Sequence, residues 1–298
     1  MLPRFLSPSV IPLQNPEACL RTFLDARERD ILPRMPNIEK HAPGTFCWIE
    51  LATNDQNAAK EFYGKLFGWS FHDAPMGPDD FYTMFNLSGR NVGAAYTLRA
   101  DQLKSGVPPH WMIYIAVASA NAAAAKAAQL GGKVIMPPFD VFDVGRMSVL
   151  EDPTGGHFCV WQAMKHSGTG LAGENGTFCW ADLGTANRAR AAEFYSGLFG
   201  WEIMKEDEKP GHDYWHIKNG EEFIGGIPPE EYKDPNSPPS WLSYILVNDC
   251  DAAAAKAREL SAKFYMPPST MEDVGRIAVL ADPQGAVFAI FQPMRRSG

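Results

Sequence analysis

The sequence predicts an α+β chain made of four βαβββ units in two tandem copies, and three observations carry that prediction. The run Gly44-Thr45-Phe46-Cys47-Trp48-Ile49-Glu50-Leu51 returns as Gly176-Thr177-Phe178-Cys179-Trp180-Ala181-Asp182-Leu183, 132 residues later, with Ile changed to Ala and Glu to Asp. At the same offset, Glu61-Phe62-Tyr63-Gly64-Lys65-Leu66-Phe67-Gly68-Trp69 is answered by Glu193-Phe194-Tyr195-Ser196-Gly197-Leu198-Phe199-Gly200-Trp201. Inside each copy the order of strand, Ala-rich helix and further strands starts again part-way through. Repetition at a fixed period is the signature of a duplicated structural unit.

The first strand of a copy is Phe46 to Leu51, bounded by Pro43-Gly44 and Asn54-Asp55. Alternation puts Phe46, Trp48 and Glu50 on one face and Cys47, Ile49 and Leu51 on the other. The second, apolar face is expected to meet the helix that follows. That helix has Thr53, Asn54 and Asp55 as cap candidates and stops at Gly68. Ala58, Ala59, Phe62 and Leu66 form its apolar stripe. Three extended runs are expected next: Phe81 to Leu87, Val92 to Leu98, and the arrival at Pro108-Pro109, broken by Gly77-Pro78 and Ser88-Gly89.

Trp111 to Val117 opens the second unit. A helix from Asn121 to Leu130 follows, ending at Gly131-Gly132. Three more strands close the copy, the last being His157-Phe158-Cys159-Val160-Trp161 after the Asp152-Pro153-Thr154-Gly155 turn. In the other copy Trp241 and Tyr244 answer Trp111 and Tyr114, and Asp282-Pro283-Gln284-Gly285 answers the turn, now at an offset of 130. The organisation is then an extension over 1–43, a first domain over 44–164, a Gly- and Ser-rich linker over 165–175, and a second domain over 176–294. In the extension, Pro16 to Ile31 reads as a short helix, and Met35 is an alternative start.

With 298 residues, 45% of them hydrophobic, the chain can build two cores of ordinary size. Its formal charge of −8 argues against a nucleic-acid backbone as partner. No run of about 20 apolar residues offers a membrane span, and the first fifteen residues lack the apolar stretch of a signal peptide. Five cysteines show neither disulfide nor CxxC zinc spacing, which places the protein in a reducing, cytoplasmic setting.

The strand, the "Ala-Ala-Lys-Glu-Phe-Tyr" helix, the "Leu-Phe-Gly-Trp" exit and the late "Asp-Pro-Thr-Gly" hairpin together resemble the vicinal-oxygen-chelate superfamily of glyoxalases, bleomycin-resistance proteins and extradiol dioxygenases. The tandem glyoxalase-like branch is the most similar. The resemblance implies a cupped mixed sheet in each domain, with the small-molecule site on its concave face. It implies either a monomer with pseudo-twofold domain pairing or a weak homodimer. It also implies where metal ligands stand in the enzymes of this group. Those positions fall here on Trp48, on or beside Met112, and on Cys159, and in the second copy on Trp180, Leu242 and Ala289. Apart from one thiol these cannot bind a divalent cation, so neither a metal nor another cofactor is expected. His110, one or two residues from the middle position, is the imidazole that an error of register would bring in, while His212 and His216, four apart in a loop-to-strand segment, have a spacing that suits a helix rather than a strand.

Glu50 and Asp182 are the candidate catalytic or anchoring acids. Each is either a desolvated base or anchor in an apolar cup, or a structural carboxylate paired with Arg146 or Arg276 of the shared Asp-Val-Gly-Arg runs. Trp48 and Trp180 would fill the metal's place and offer an aromatic wall. Tyr114 and Tyr244 are on the same face and can donate a hydrogen bond. His157 and Cys159 add polar groups to the first cup. They lie roughly 6–7 Å apart along the strand, too far for a nucleophilic pair. These residues, with Arg146 and Arg276, are the candidate ligand contacts. Two functions follow as expectations. One is a binding protein that holds a small aromatic or amphipathic molecule in metal-free cups. The alternative is an enzyme of lyase, isomerase or dioxygenase type, using Glu50 or Asp182 as base or a metal held by other ligands. The first cup is expected to be the chemically richer one.

Overall fold

The structure is a computed structural model that describes residues 38–78, 80–205, 213–234, 236–272 and 274–294. The helix expected between Pro16 and Ile31, and His212, lie outside the described residues.

The first copy runs β1 (Phe46–Thr53), α1 (Gln56–Phe67), β2 (Ser70–Gly77), β3 (Asp80–Leu87), β4 (Arg90–Thr97), α2 (Ala100–Lys104), β5 (His110–Ala116), α3 (Ala120–Gln129), β6 (Lys133–Val141), β7 (Gly145–Glu151) and β8 (His157–Ala163). The second runs β9 (Phe178–Gly184), α4 (Arg188–Phe199), β10 (Glu202–Lys205), β11 (Trp215–Asn219), β12 (Glu222–Ile227), β13 (Ser240–Leu246), α5 (Cys250–Glu259), β14 (Lys263–Met271), β15 (Gly275–Ala281) and β16 (Val287–Pro293). Each copy forms its own eight-stranded mixed sheet, in the orders β2-β3-β4-β1-β5-β8-β7-β6 and β10-β11-β12-β9-β13-β16-β15-β14. The first strand of each unit is therefore central, with β1 beside β5 and β9 beside β13. The predicted α+β tandem of cupped sheets is what the chain forms.

Local chemistry explains the elements. Asp55 caps α1 by accepting from the Asn57 and Ala58 amides, and Gly68 ends it at φ 76°. Asn187 and Gly200 repeat this around α4. Two details depart from expectation. The strand that completes the first unit is β2, and the stretch before Pro108-Pro109 instead contains α2. A bulge between Phe46 and Trp48 also shifts the register of β1 against β5. An extra residue in a strand reverses the alternation on one side of it. Phe46 therefore joins Ile49 and Leu51 in the helix-side core, while Cys47 packs with Trp48 on the opposite face.

The helix-side core is continuous across both copies. It joins Phe62, Tyr63 and Trp69 of the first copy to Phe194, Tyr195 and Phe288 of the second. At its centre is a reciprocal joint. Tyr63 donates to Asp282 Oδ2 at 2.9 Å and accepts from Trp111 Nε1 at 3.0 Å. Tyr195 donates to Asp152 Oδ2 at 2.9 Å and accepts from Trp241 Nε1 at 3.0 Å. The other oxygen of each aspartate holds its Asp-Pro turn, through the Thr154 and Gly156 amides and through the Gln284, Gly285 and Ala286 amides. Trp69 and Trp201 reach across to the Gly176 and Gly44 carbonyls at 2.7 and 2.8 Å. The most conspicuous repeated motifs thus build the pseudo-twofold joint between copies, and the opposite face of each sheet is left for other work.

The segment after β8 is packed rather than slack. The Thr169 amide bonds to the Cys47 carbonyl at 2.8 Å, the Gly170 amide to that of Asn91 at 2.8 Å, and Leu171 is buried. No helix among the described residues is long and apolar enough to cross a membrane.

Candidate functional site

The face of each sheet opposite the shared helix-side core carries an acid held by tyrosines. In the first cup, Trp48 and Glu50 project from β1 beside Tyr114 of β5, which pairs with Trp48. Tyr82 of β3 donates to Glu50 Oε1 at 2.6 Å, and Tyr114 donates to Oε2 at 2.8 Å. Trp48 Nε1 donates to the Tyr82 hydroxyl at 3.2 Å. In the second cup, Tyr244 donates to Asp182 Oδ2 at 2.7 Å, and Tyr214 makes a short bond to Oδ1. Trp180 Nε1 is shared between Asp182 Oδ1 at 3.0 Å and the Tyr214 hydroxyl at 2.9 Å. Burial raises the pKa of both acids, and the tyrosine bonds, together with the Trp180 indole at Asp182, oppose that rise. The hydroxyls of Tyr82, Tyr114 and Tyr214 are in turn driven well above the ordinary phenol range by desolvation and by the neighbouring carboxylate.

Among the described residues neither acid has a cationic partner. Arg146 and Arg276, expected beside them, lie on the other side of the sheet. Arg146 shares the parity of Leu150, which packs with the helices, whereas Met147 and Val149 face the cup. Arg146 bonds to Asn121 Oδ1 at 2.7 Å, Asp140 Oδ1 at 2.6 Å and the Pro138 carbonyl at 3.1 Å. Arg276 forks onto both oxygens of Asp251, at 2.6 and 2.8 Å, and reaches Thr270. These arginines tie the outer hairpins to the starts of α3 and α5.

Cys159 stands next to Tyr114 on β8 and is 2% exposed. Burial, with Glu50 nearby, pushes its thiol well above the ordinary range, so it is an inert wall atom. His157 is half-exposed on the same face, with Nε2 3.4 Å from Glu151 Oε2. His216 is buried in the second cup against Tyr214 and Phe223, and its pKa falls to about 4 through desolvation. Two groups were absent from the sequence reading, Tyr82 and Tyr214. A tyrosine recurring at the offset of the repeat was the available signal. His166 of the linker is a third addition, edge-on to Trp48 with ring centroids 4.7 Å apart.

The family model of the Glyoxalase/Bleomycin resistance protein/Dioxygenase superfamily matches residues 45–160 and again 178–290. The chain belongs to this superfamily. It is 40% identical over 260 residues to CFP32 of Mycobacterium tuberculosis, provisionally named a glyoxylase, covering 87% of this chain and 98% of that one. It is 31% identical over 265 residues to the anthracycline biosynthesis protein DnrV of Streptomyces peucetius, covering 85% and 94%. Among solved structures, the fold resembles a Mn(II)-bound glyoxalase from Novosphingobium aromaticivorans, with TM-score 0.60, 15% identity and coverage of 85% and 83%. It also resembles a catechol 2,3-dioxygenase, with TM-score 0.57, 13% identity and coverage of 87% and 90%.

A divalent metal of the kind named for that glyoxalase does not suit the side chains gathered here. Trp48, Met112 and Cys159 line the floor, and both oxygens of Glu50 already accept tyrosine hydroxyls. Among the described residues no group of three His, Cys, Asp or Glu side chains converges. Indole and thioether are poor partners for the hard or borderline cations these enzymes use.

Proposed function

We propose that the first cup binds a flat, hydrogen-bond-donating aromatic small molecule, with Glu50 as its anchor. The observation that carries this reading is a carboxylate with no cationic partner among the described residues, oriented by Tyr82 and Tyr114 and partly exposed on the floor of an apolar cup. A carboxylate has about four lone-pair sites, so two tyrosines leave room for a ligand hydroxyl or ammonium. Trp48 and Trp161, both buried in the cup-side cluster, supply aromatic walls. The relative named for anthracycline biosynthesis fits a fused-ring ligand. The protein would act inside the cell, as one chain whose two copies pair with each other. No nucleic acid enters this reading.

The test is mass spectrometry of small molecules released from the purified protein, followed by calorimetry with what is found. Binding should fall at least ten-fold in Glu50→Gln and be unchanged in Asp182→Asn. Equal loss in both, or loss only in the second, overturns the assignment to the first cup.

A catalytic reading is favoured by the apolar setting of Glu50 among Trp48, Tyr114 and Trp161, where desolvation raises the pKa of its carboxyl. A base tuned upward in an apolar site can take a proton from a bound carbon or oxygen acid. Turnover lost in Glu50→Gln with binding preserved would separate that role from anchoring.

A further inference from the structure

Beyond Glu50 the first cup has polar groups that the second lacks. Along β1 the inner face proceeds from Trp48 to Glu50 to Ala52. Met112 pairs with Glu50, and His110 pairs with Ala52 from the β5 side. Tyr96 pairs with Ala52 from the β4 side. Ala52 is small and buried, so the floor between His110 and Tyr96 is low. In the second cup Gly184 stands for Ala52 and Ser240 for His110, while the strand carrying Gly226 ends at Ile227, before the counterpart of Tyr96, which is Pro228. His157 also has an apolar counterpart, Val287.

The protonation of His110 is set by its backbone. Its Nδ1 lies 2.8 Å from the Pro108 carbonyl, which can only accept, so Nδ1 carries the proton. Burial, together with His157 nearby, lowers the pKa of the ring and keeps it neutral. Nε2 therefore presents a lone pair, and it has no hydrogen-bond partner among the described residues. Across Ala52, the Tyr96 hydroxyl accepts from Gln102 Nε2 at 3.1 Å and keeps its own proton to give. An acceptor and a donor thus flank one point of the floor. By the rise of a strand, that point is about 7 Å beyond Glu50.

We propose that His110 and Tyr96 form a second polar pole of the first cup, holding the hydroxyl- or carbonyl-bearing far edge of a fused-ring aromatic whose near edge is anchored at Glu50. This rests on the binding reading above and adds a length and a substitution pattern to it. A single ring carrying one donor satisfies Glu50 and leaves His110 unused. Two fused rings with oxygens on opposite edges reach both poles.

The experiment compares 2-naphthol with 2,6-dihydroxynaphthalene on the full chain, by tryptophan fluorescence and calorimetry. One added hydrogen bond is expected to make the diol bind about five-fold tighter. His110→Phe should abolish that preference, so that the two probes bind alike. His110→Gln, whose amide oxygen can still accept, should keep part of it. If the preference survives in His110→Phe, or if wild type does not distinguish the two probes while both depend on Glu50, the second pole is overturned and the anchor stands. If neither probe binds, or binding ignores Glu50→Gln, the reading of the cup itself fails, and this inference with it.

Discussion

The two cups hold the same four groups, an acid, two tyrosines and a tryptophan, yet the acid of one is partly exposed and that of the other is buried. Glu50 is partly exposed, whereas Asp182 is 7% exposed and Tyr214 only 1%. The difference traces to one methylene and one methyl. Asp182 ends nearer its strand than Glu50 does, so its tyrosine must come further in. Tyr214 does so by lying over Gly226, the residue paired with Asp182, where an added Cβ would stand 1.9 Å from the hydroxyl oxygen. In the first cup the residue paired with Glu50 is Ala94, and Tyr82 stays partly exposed. Glu with Ala and Asp with Gly are matched sets. A duplicated site can thus satisfy its carboxylate in both copies and still bury one acid more deeply than the other.

The sharpest way to break this comparison is Gly226→Ala. The new methyl must displace the Tyr214 hydroxyl, which is bonded to both Asp182 and Trp180. Overpacking together with loss of a donor to a buried carboxylate should cost about 2–5 kcal/mol in urea unfolding. Adding Asp182→Glu should restore at least half, because the longer acid meets the tyrosine further out. A single variant as stable as wild type, or a double variant no better than the single, would show that the sets are not matched.

Acid should also separate the cups. His216 has a folded pKa of about 4, below the ordinary 6.5. Between these values the unfolded chain takes up a proton that the folded chain refuses, so stability is full above about pH 6.5 and is lost as pH falls toward 4. The loss amounts to about 3 kcal/mol by pH 4. Met84 stands at the matching position of the first cup. His216→Met should therefore lose about 2–3 kcal/mol less than wild type between pH 7 and 4.5. Glu50 and Asp182, whose raised pKa values act in the opposite sense, are common to both proteins and cancel. Parallel pH profiles would refute the assignment.

The joint between copies provides the control, because there the halves are equivalent. Tyr63→Phe leaves Asp282 Oδ2 and Trp111 Nε1 without their hydroxyl, and Tyr195→Phe does the same to Asp152 and Trp241. Each should cost about 1–3 kcal/mol, and the two costs should agree closely. Unequal costs would mean that the asymmetry of the cups extends into the shared core.

How much of this was legible in the sequence depends on what kind of signal each feature leaves. The duplication, the helices with their Asp55 and Gly68 ends, and the inward acids were readable because repetition and capping are local. Strand β2 was not, since Ser70–Gly77 is an exposed edge strand with Pro75 in it and no apolar alternation. The bulge that turns Phe46 into the core has no signature in a run as apolar as Phe46 to Leu51. Pairing Arg146 with Glu50 by charge failed because sheet parity, which needs the register, puts the guanidinium on the helix side. Tyr82 and Tyr214 were visible as a repeated residue, but their grip on the acids depends on how β3 and β11 sit across the cup. The exchange of Ala94 for Gly226 became meaningful only once each was seen to pair with its acid.

The smallest expected effect tests the comparison from the other side. Glu50→Asp in the first cup withdraws the carboxylate by one methylene, and Tyr82 can follow it only into the space of the Ala94 methyl. Alone, the substitution should lose part of the Tyr82 bond and cost about 1–2 kcal/mol. Adding Ala94→Gly removes the obstruction, letting Tyr82 move in as Tyr214 does over Gly226. Glycine within a strand itself costs roughly 0.5–1 kcal/mol, so the recovered bond and the new backbone freedom nearly cancel. Stability of the double variant should therefore stay within about 1 kcal/mol of Glu50→Asp. The decisive readout is access. Tyr82 drawn over the floor should close it, and binding of 2-naphthol should fall further in the double variant than in Glu50→Asp alone. If Ala94→Gly instead leaves binding unchanged or improves it, then the length of the acid and the size of its strand partner do not decide which cup is open.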